Sequence, residues 1–532
     1  MTAYLEKFPK IFSALVLLTI LIFWRVIIAG YVQWDDPVFI LNNALLREPL
    51  ASFLPQIFSH YFFGDYLPMT LISFWAEFQL WGAQPEPQHI LNLILHLLNM
   101  ALLSTYLLKL PIPRGAVLFM TAVFAIHPLQ TEVVMWISER KSLLALFFAL
   151  LAMHAAQKDS IKNSLNLSWF AYILFFSSSL LSKSTALFLP LLLISSDLMF
   201  FKTSYRTVLK KHFLPLTLAV AWGTIRIFAY SQAVNNSASV TWNLERIRHL
   251  PDQIFVALGF YLEKFFIPAG LSAIYPPYTS FQNTFWFVFA ILFFAGFTFY
   301  GFWRKNSLVI YFLILITLFL LPILQIVPRI NFVSDRYMYF PVIGLAGLCT
   351  IVAPSFLRPM KISGIVILIL GFLTYQRTEV WISDLNLWTD IVKKNPQSSL
   401  GQNNLGLALL KENQTTSAIS YFERASLLGV NDGTAHLAFH NLGLIYSSPQ
   451  WPQLTNPKMA EAYYLKSIET APKDSAESKY NLGLLYAQTQ RTPEALALLQ
   501  SLEQELSTRS DQRNLGLMMM TKKILSQLKN NP

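Results

Sequence analysis

The chain has 532 residues, of which 54% are hydrophobic and only 13% are charged, and its formal net charge is +11. Soluble proteins carry about 25% charged residues, so this composition excludes a purely soluble enzyme and an intrinsically disordered protein. The single cysteine excludes an intrachain disulfide framework and a cysteine-rich metal site.

The charge divides the sequence into two parts. Residues 377–532 carry 15 basic and 14 acidic side chains, whereas residues 1–376 carry 25 basic and 15 acidic ones. Ten of the eleven net positive charges therefore lie in the apolar part, where they are typical of membrane loops rather than of a nucleic-acid surface. We predict a membrane domain over residues 1–376 and a separate domain over residues 377–532.

Apolar stretches in the first part predict about eleven membrane spans. They cover residues 11–31, 89–110, 115–128, 143–157, 168–182, 184–200, 212–231, 284–303, 307–326, 338–354 and 361–375. No cleavage site follows the first stretch, so we expect it to remain as an anchor. Residues 251–267 are apolar but contain Asp252, Glu263 and Lys264, and we expect an interfacial or re-entrant helix there.

The charges of the loops predict the orientation of the membrane domain. Basic residues dominate the loops on one side, and only Glu6 and Asp159 oppose them. The positive-inside rule places these loops in the cytosol. The acidic loops and the C-terminal domain are then expected on the far side, in a periplasm or a lumen.

The tripeptide Asn-Leu-Gly recurs in the second part at a spacing close to that of the tetratricopeptide repeat. Its copies begin at Asn404, Asn441, Asn481 and Asn514, which are 37, 40 and 33 residues apart. The small glycine would let paired helices approach closely. Stacked helical hairpins expose a concave groove that usually holds a peptide or a protein, and the alternative is that the array only supports the membrane domain.

The first far-side loop begins with Trp34-Asp35-Asp36-Pro37. Two adjacent carboxylates beside a membrane are costly, because burial raises the pKa of a carboxyl group and like charges repel. Asp35 or Asp36 is therefore a candidate general base for an acceptor hydroxyl. A turn or a helix cap is the competing interpretation, which Asp-Asp-Pro also favours.

The second span carries a polar stripe. His89, Asn92, His96 and Asn99 are spaced by three, four and three residues, so they share one face of a helix that must contact protein or water. Hydrogen bonds between helices are the simpler interpretation, and a role in lining an active site is the alternative. Two histidines two helical turns apart are weak metal ligands, and no metal site is assigned.

Charged motifs recur at the other far-side junctions. They are His127 to Glu132, Glu139-Arg140-Lys141, Lys183, Arg226 and Ser334-Asp335-Arg336-Tyr337. Basic side chains that face one cavity at a membrane surface suit a lipid-linked phosphate. Each one alone is more often an interfacial anchor or an ion-pair partner, and their recurrence on the same side is the stronger signal. The sequence has no nucleotide-binding loop, so we expect a lipid-borne donor.

Taken in order, these stretches resemble the GT-C membrane glycosyltransferases, in particular the transmembrane and tetratricopeptide-repeat O-mannosyltransferase-like family. The resemblance spans nearly the whole chain and is carried by residues 34–36, 66–70, 88–92, 95–96, 125–132, 138–141 and 334–341. The chain departs from the family pattern at Gln130, where relatives often have a second histidine, and at Lys183-Ser184.

This resemblance implies inverting transfer of a sugar from a polyprenyl-phosphate carrier to a protein hydroxyl on the non-cytosolic face. By position, the base would be Asp35 or Asp36, and the donor phosphate would be bound by Arg336, Arg140, Lys141 and Lys183. The active site would be lined by His89, Asn92, His127, Glu132, Asp335 and Tyr337. The repeat domain would hold the acceptor protein or peptide, and no nucleic acid would take part.

The expected fold is all-α, with a polytopic bundle of about eleven spans followed by a tetratricopeptide-repeat solenoid. The short repeat array favours a bacterial inner membrane, with the repeats in the periplasm, over an endoplasmic reticulum membrane. Two alternatives stay open, an oligosaccharide ligase that uses a lipid diphosphate donor and a non-enzymatic membrane-anchored scaffold. The ligase would release a lipid diphosphate, and the scaffold would need only one span.

Overall fold

The computed structural model describes residues 7–59, 61–62, 66–158, 167–235, 244–276, 284–324, 331–352, 360–430, 432–507 and 512–530. The regular elements in these ranges are helices, which confirms the all-α prediction for the described part of the chain. The chain divides into two compact units, Met1–Leu387 and Trp388–Pro532. Each unit is described by itself.

The first unit consists of apolar helices joined by short helical turns. Its helices are α1 (Lys7–Ile22), α2 (Leu50–Ser59), α3 (Pro68–Trp81), α4 (Pro85–Leu107), α5 (Arg114–Ile126), α6 (Thr131–Met135), α7 (Arg140–Lys158), α8 (Leu167–Ser182), α9 (Leu189–Met199), α10 (Tyr205–Asn235), α11 (Leu244–Phe266), α12 (Thr284–Trp303), α13 (Ser307–Leu320), α14 (Pro341–Val352) and α15 (Met360–Thr378). The following helix, α16 (Asp384–Lys394), contains the boundary between the units.

Two described helices, α4 and α12, are long and apolar enough to cross a membrane. The number rises to four if each of two bent pairs is one span, Arg114–Ile126 with Pro128–Met135 at 49° and Ser363–Trp381 with Asp384–Lys394 at 111°. The remaining apolar helices are shorter, and Pro128 and Pro341 lie at the start of helical segments inside two of the predicted spans. Within the described ranges the apolar helices are those of a membrane protein, and two to four candidate spans are found against the eleven predicted.

The polar stripe of α4 bonds to the neighbouring segments, as the simpler interpretation has it. The ring nitrogens of His96 lie 2.9 Å from the carbonyl oxygen of Ala125 and 3.0 Å from the hydroxyl of Tyr339. The Asn99 amide donates to the carbonyl oxygen of Leu143 at 3.0 Å and to the same tyrosine at 3.1 Å. These bonds fix α5, α7 and the segment before α14 around one central helix.

The second unit is a series of antiparallel helical hairpins. Its helices are α17 (Ser399–Lys411), α18 (Thr415–Leu428), α19 (Ala435–Ser447), α20 (Pro457–Thr470), α21 (Ala476–Gln488), α22 (Thr492–Ser507) and α23 (Gln512–Asn530). Consecutive helices pack against each other. Three of the four Asn-Leu-Gly tripeptides lie on the first helices of these hairpins, α17, α19 and α21, and the fourth lies on α23.

The glycine of each hairpin tripeptide lies directly under a bulky side chain of the partner helix. A Cβ atom at Gly406 would come within 2.7 Å of the Phe422 ring, one at Gly443 within 2.6 Å of the Tyr464 ring, and one at Gly483 within 2.7 Å of Leu499. Phe422, Tyr464 and Leu499 are fully buried. The repeat therefore encodes close helix approach, as predicted from its small residue.

Candidate functional site

The loop after α1 is held in place before it reaches its two carboxylates. Two backbone groups anchor this part of the loop, because the Gly30 amide donates to the Ile382 carbonyl at 2.9 Å and the Gln33 amide donates to the Asp384 carboxylate. Pro37 then starts a short helical segment, Pro37–Leu41, whose Phe39 and Ile40 are buried. Asp35 and Asp36 therefore lie on a fixed turn.

Asp36 is a buried carboxylate with every oxygen engaged. One oxygen accepts hydrogen bonds from the Ser138 hydroxyl at 2.5 Å and the Ser138 amide at 3.2 Å, and the other accepts from the Val32 amide at 2.9 Å. Only 1% of the residue is exposed, and this burial raises its pKa to about 6. Asp36 thus connects the first loop to the turn Ile137–Glu139 that precedes α7.

Asp35 has a different partner and is partly accessible. Its side chain is 18% exposed, and one of its oxygens lies 3.4 Å from the ammonium of Lys141. A general base must reach the hydroxyl from which it takes the proton. Of the two adjacent carboxylates, only Asp35 is placed to meet an incoming substrate without a rearrangement of the loop.

Three cations surround the buried carboxylate of Glu139. The ammonium of Lys183 lies 2.9 Å from one oxygen, and the other oxygen lies 3.5 Å from Lys141 and 3.6 Å from the Nε atom of Arg336. Although burial opposes ionisation, these cations hold the pKa of Glu139 at about 2. Glu139 is therefore the ionised centre of a cluster drawn from α7, the α8–α9 junction and the segment before α14.

Arg336 is fixed by a second carboxylate and by aromatic rings. Glu132 accepts from its guanidinium at 2.5 Å and from its backbone amide at 3.0 Å. The guanidinium carbon lies 5.9 Å, 5.7 Å and 5.4 Å from the ring centres of Trp34, Trp136 and Tyr337. A tenth of the side chain remains exposed, so it can still receive a ligand.

Asp335 belongs to a neighbouring network. Its carboxylate accepts a hydrogen bond from the Tyr275 hydroxyl at 2.7 Å, and the residue is buried. Burial, assisted by the charge of Glu132, raises the pKa of Asp335. The adjacent residues Asp335 and Arg336 therefore have different partners, Tyr275 for Asp335 and Glu132 for Arg336.

Arg140 points away from this cluster. Its guanidinium donates to the Glu77 carboxylate, to the Asn92 amide oxygen at 2.6 Å and to the Gln88 carbonyl at 2.6 Å, and the side chain has no exposed surface. His89 lies near the same region, 3.2 Å from the Gly30 carbonyl. These residues are behind the cluster rather than at its surface.

His127 joins two helices instead of lining the cluster. Its Nε2 atom lies 3.0 Å from the Phe265 carbonyl, its Nδ1 atom accepts from the Leu129 amide, and its ring stacks on that of Phe265. The structure therefore brings together one group of predicted site residues, Asp35, Glu132, Lys141, Lys183, Arg336 and Tyr337. It places the rest around or beneath them, namely Asp36, His89, Asn92, His127, Arg140 and Asp335.

Sequence reasoning missed the residues that organise the cluster. The sequence analysis gives Ser138 and Glu139 no role beyond their place in the motif of residues 138–141, and it assigns nothing to Ser142 or Trp136. Ser142 donates to Glu139 and accepts from Lys183 at 2.7 Å. The signal was present in the run Ser138-Glu139-Arg140-Lys141-Ser142, where an acid stands between a hydroxyl and two cations.

Within the described ranges, no group of three or more His, Cys, Asp or Glu side chains is arranged to hold a metal ion. The cluster instead combines three cations with two buried carboxylates and an accessible one. Its contacts at 3.4–3.6 Å, between Lys141 and Asp35, Lys141 and Glu139, and Arg336 and Glu139, are longer than direct hydrogen bonds. An anionic ligand can replace these contacts without breaking the shorter ones that hold the site together.

No protein-family model matches the chain. The chain is similar to protein O-mannosyl-transferase F38B6.6 of Caenorhabditis elegans, with 25% identity over 420 residues, which cover 72% of this chain and 57% of the relative. It is also similar to protein O-mannosyl-transferase TMTC1 of Mus musculus, with 32% identity over 136 residues, covering 24% of this chain and 14% of the relative.

A third relative is protein O-mannosyl-transferase Tmtc1 of Drosophila melanogaster, with 31% identity over 173 residues, covering 30% of this chain and 19% of the relative. The chain thus spans just over half the length of the worm relative and less than a fifth of the mouse and fly ones.

Proposed function

We propose that the chain is an inverting membrane glycosyltransferase that moves a sugar from a polyprenyl-phosphate donor to a protein hydroxyl on the non-cytosolic face, as a member of the transmembrane and tetratricopeptide-repeat O-mannosyltransferase family. The names of the relatives point to mannose as the sugar. The observation that carries the proposal is the accessible carboxylate of Asp35 beside cations that converge on Glu139.

Asp35 acts as the general base in this proposal. The acceptor hydroxyl gives its proton to Asp35, and its oxygen forms a bond to the anomeric carbon from the side opposite to the phosphate. The bond between that carbon and the phosphate oxygen breaks, and its electron pair leaves with the lipid monophosphate. Positioned proton transfer of this kind contributes about 10²- to 10⁴-fold in rate.

Lys141, Lys183 and Arg336 bind the donor phosphate and stabilise the charge that builds on it as the bond breaks. Together with Glu139, Glu132 and Asp35 they form a site with equal numbers of positive and negative groups. Protonation of Asp35 during the reaction leaves one net positive charge. The departing lipid monophosphate then carries two negative charges, whereas a departing lipid diphosphate would carry three, so the net charge of the cluster offsets a larger share of the charge for a monophosphate-linked sugar.

The remaining parts of the proposal concern topology and the acceptor. The membrane unit is a GT-C bundle of about eleven spans, some of them built from shorter helices, with the site on the far side. The hairpin unit is a tetratricopeptide-repeat domain that presents the acceptor protein. The positive-inside bias supports a periplasmic position of this domain at a bacterial inner membrane.

The test is the intact mass of far-side proteins from cells with the wild-type gene, without the gene, and with Asp35→Asn. The proposal predicts a hexose mass on at least one protein that is lost in both the null and the variant cells. A mass lost only in the null cells would contradict the assignment of Asp35 as base.

The purified protein separates the alternatives. Incubated with polyprenyl-phosphate mannose and the modified protein identified above, the wild type should release a lipid monophosphate. Turnover only with a diphosphate-linked sugar, with release of a lipid diphosphate, would favour the oligosaccharide ligase. Absence of any mass difference and of turnover with either donor would favour the scaffold.

A further inference from the structure

The four residues Ser138 to Lys141 contact the site through three of their side chains. Ser138 holds Asp36 with two hydrogen bonds, and Glu139 holds the cations. Lys141 lies between Asp35 and Glu139, at 3.4 Å and 3.5 Å. The geometry of the proposed base and of the phosphate cations therefore depends on where this short segment lies.

The fourth side chain of the segment, Arg140, extends in the opposite direction. It is one of the largest fully buried side chains described, and its ion pair with Glu77 is 0% and 3% exposed. Three nitrogen atoms of the guanidinium bond to three different partners, the Glu77 carboxylate on α3 and, on α4, the Asn92 side chain and the Gln88 carbonyl. It also lies 5.1 Å from the centre of the Phe74 ring.

We propose that Arg140 and Glu77 form a positioning pair that holds the segment Ser138–Lys141 from behind, so that Arg140 acts through its neighbours and does not bind the donor phosphate. The inference rests on the proposed function, because it assigns a role within that reaction. The pair depends on the planar, forked guanidinium group of Arg140, which a lysine of equal charge cannot reproduce.

Three considerations separate this role from phosphate binding. The Arg140 guanidinium is paired with a carboxylate and has no exposed surface, so a ligand phosphate cannot reach it in this structure. The loss of one partner of a buried pair is strongly destabilising, whereas replacement of both by apolar residues is often neutral. A misplacement of about 1 Å in a catalytic group can reduce turnover by about 10²-fold without a loss of binding.

The experiment compares two single variants and one paired replacement of the full-length protein, with polyprenyl-phosphate mannose as donor. The variants are Glu77→Gln, Arg140→Lys and the double variant Glu77→Leu with Arg140→Met, which keeps the buried volume without the charges. Asp197→Asn is the matched control. It removes another buried ion pair of the same unit, with Lys211 at 2.7 Å, that is remote from the segment in sequence and contacts none of its residues in the described structure.

A positioning pair predicts that Arg140→Lys and Glu77→Gln each lower kcat by about 10- to 100-fold with a KM for the donor within about threefold of wild type. The double variant should be no worse than either single variant, since the two residues act as one unit. The control should retain wild-type kcat and KM. If either single variant does not fold, the kcat and KM of the double variant are compared with those of the wild type instead.

A role in phosphate binding predicts the opposite pattern. Arg140→Lys would then stay near wild type, Glu77→Gln would lower the KM by freeing the guanidinium, and the double variant would raise the KM by tenfold or more. Any of these three results would overturn the proposal.

Hydrogen exchange separates failure of this inference from failure of the proposed function. Exchange of the peptide that covers residues 137–141 should accelerate by at least tenfold in Glu77→Gln and Arg140→Lys, and should not change in Asp197→Asn. This readout does not require activity. If the wild type transfers no sugar but the acceleration is present, only the proposed function fails, whereas unchanged exchange overturns the positioning pair.

Discussion

Asp35 and Asp36 are adjacent in the chain, yet the carboxylate of Asp36 is buried between Val32 and Ser138 while that of Asp35 is exposed beside Lys141. The two consecutive side chains thus have different partners and different exposure, 1% for the Asp36 residue and 18% for the Asp35 side chain. Two chemically identical residues are therefore expected to respond differently to the same substitution, and this difference can be measured.

Asp35→Asn should abolish transfer and leave the fold intact. The substitution removes the accessible base and its contact with Lys141, which keeps its second carboxylate partner, Glu139. We expect a loss of about 10²- to 10⁴-fold in kcat with an unchanged melting temperature. Steady-state transfer to the acceptor and thermal unfolding of the same preparation check both expectations, and a variant with more than a tenth of the wild-type activity would contradict them.

Asp36→Asn should mainly affect stability. An asparagine has one accepting oxygen, so the Val32 amide or the Ser138 amide and hydroxyl lose their acceptor. Loss of a buried partner costs about 1–3 kcal/mol. Activity should fall only in proportion to the fraction of the protein that is unfolded. Denaturant titration of the purified protein measures that fraction.

The stability difference between the wild type and Asp36→Asn should depend on pH. Burial raises the pKa of Asp36 to about 6 in the folded state, against about 3.9 in an unfolded chain. Between these values the folded state binds a proton that the unfolded state has lost, so the contribution of Asp36 to stability falls as the pH rises from about 4 to about 6, by at most about 3 kcal/mol.

The wild type should therefore gain stability relative to Asp36→Asn when the pH is lowered from 7 to 5. Glu139 does not interfere with this comparison. Its pKa is about 2 in the folded state and about 4.3 in an unfolded chain, so the stability that it contributes is lost only when the pH falls below about 4.3. Asp335 is present in both proteins and cancels. Melting temperatures of the two proteins at pH 5 and pH 7 test this, and an equal difference at both values would mean that Asp36 is not buried as described.

The sequence predicts the helical fold and the identity of the motifs, but not which way each side chain points. The stripe from His89 to Asn99 is predicted from helical spacing alone, since its residues share one face whatever they contact. The partners of the stripe come from other elements, and one of them, the Tyr339 hydroxyl, is more than 200 residues away in the chain. No local pattern could identify them.

The assignment of Arg140 illustrates the same limit. Residues 139–141 form the junction of a turn and a helix, where successive side chains diverge by about 100°. Charge alone makes Arg140 and Lys141 equal candidates for a phosphate. Burial against α3 and α4 separates them, and that burial depends on Glu77 and Asn92, which come from distant parts of the sequence.

Arg336→Lys should weaken donor binding more than the loss of one contact suggests. The guanidinium connects two carboxylates, with Nη1 at 2.5 Å from Glu132 and Nε at 3.6 Å from Glu139, and an ammonium group cannot reach both. We expect a KM for the donor about tenfold higher, which corresponds to about 1.4 kcal/mol. Arg304→Lys, at an exposed arginine beside Trp303, is the matched control and should keep the wild-type KM. A donor titration in which Arg336→Lys equals this control would remove Arg336 from the phosphate site.

The repeated glycines of the hairpin unit should differ in their tolerance of alanine. At Gly443 a Cβ atom would lie 2.6 Å from the buried Tyr464 ring, so Gly443→Ala must displace a packed side chain and should cost about 1–3 kcal/mol. At Gly516 nothing lies within 4 Å of the added atom. Gly516→Ala should therefore stabilise α23 by up to about 1 kcal/mol, because alanine has the higher helix propensity.

Thermal unfolding of the full-length variants measures these effects, with the two alanine variants serving as controls for each other. Gly406→Ala should behave like Gly443→Ala, because its Cβ atom would lie 2.7 Å from the Phe422 ring. Equal melting temperatures for Gly443→Ala and Gly516→Ala would show that the tripeptide glycine is not required for close approach of the helices. If Gly443→Ala is instead destabilising and Gly516→Ala stabilising, the glycines of the first three tripeptides are packing sites. The glycine of the fourth tripeptide then has no packing partner in the described part of the chain.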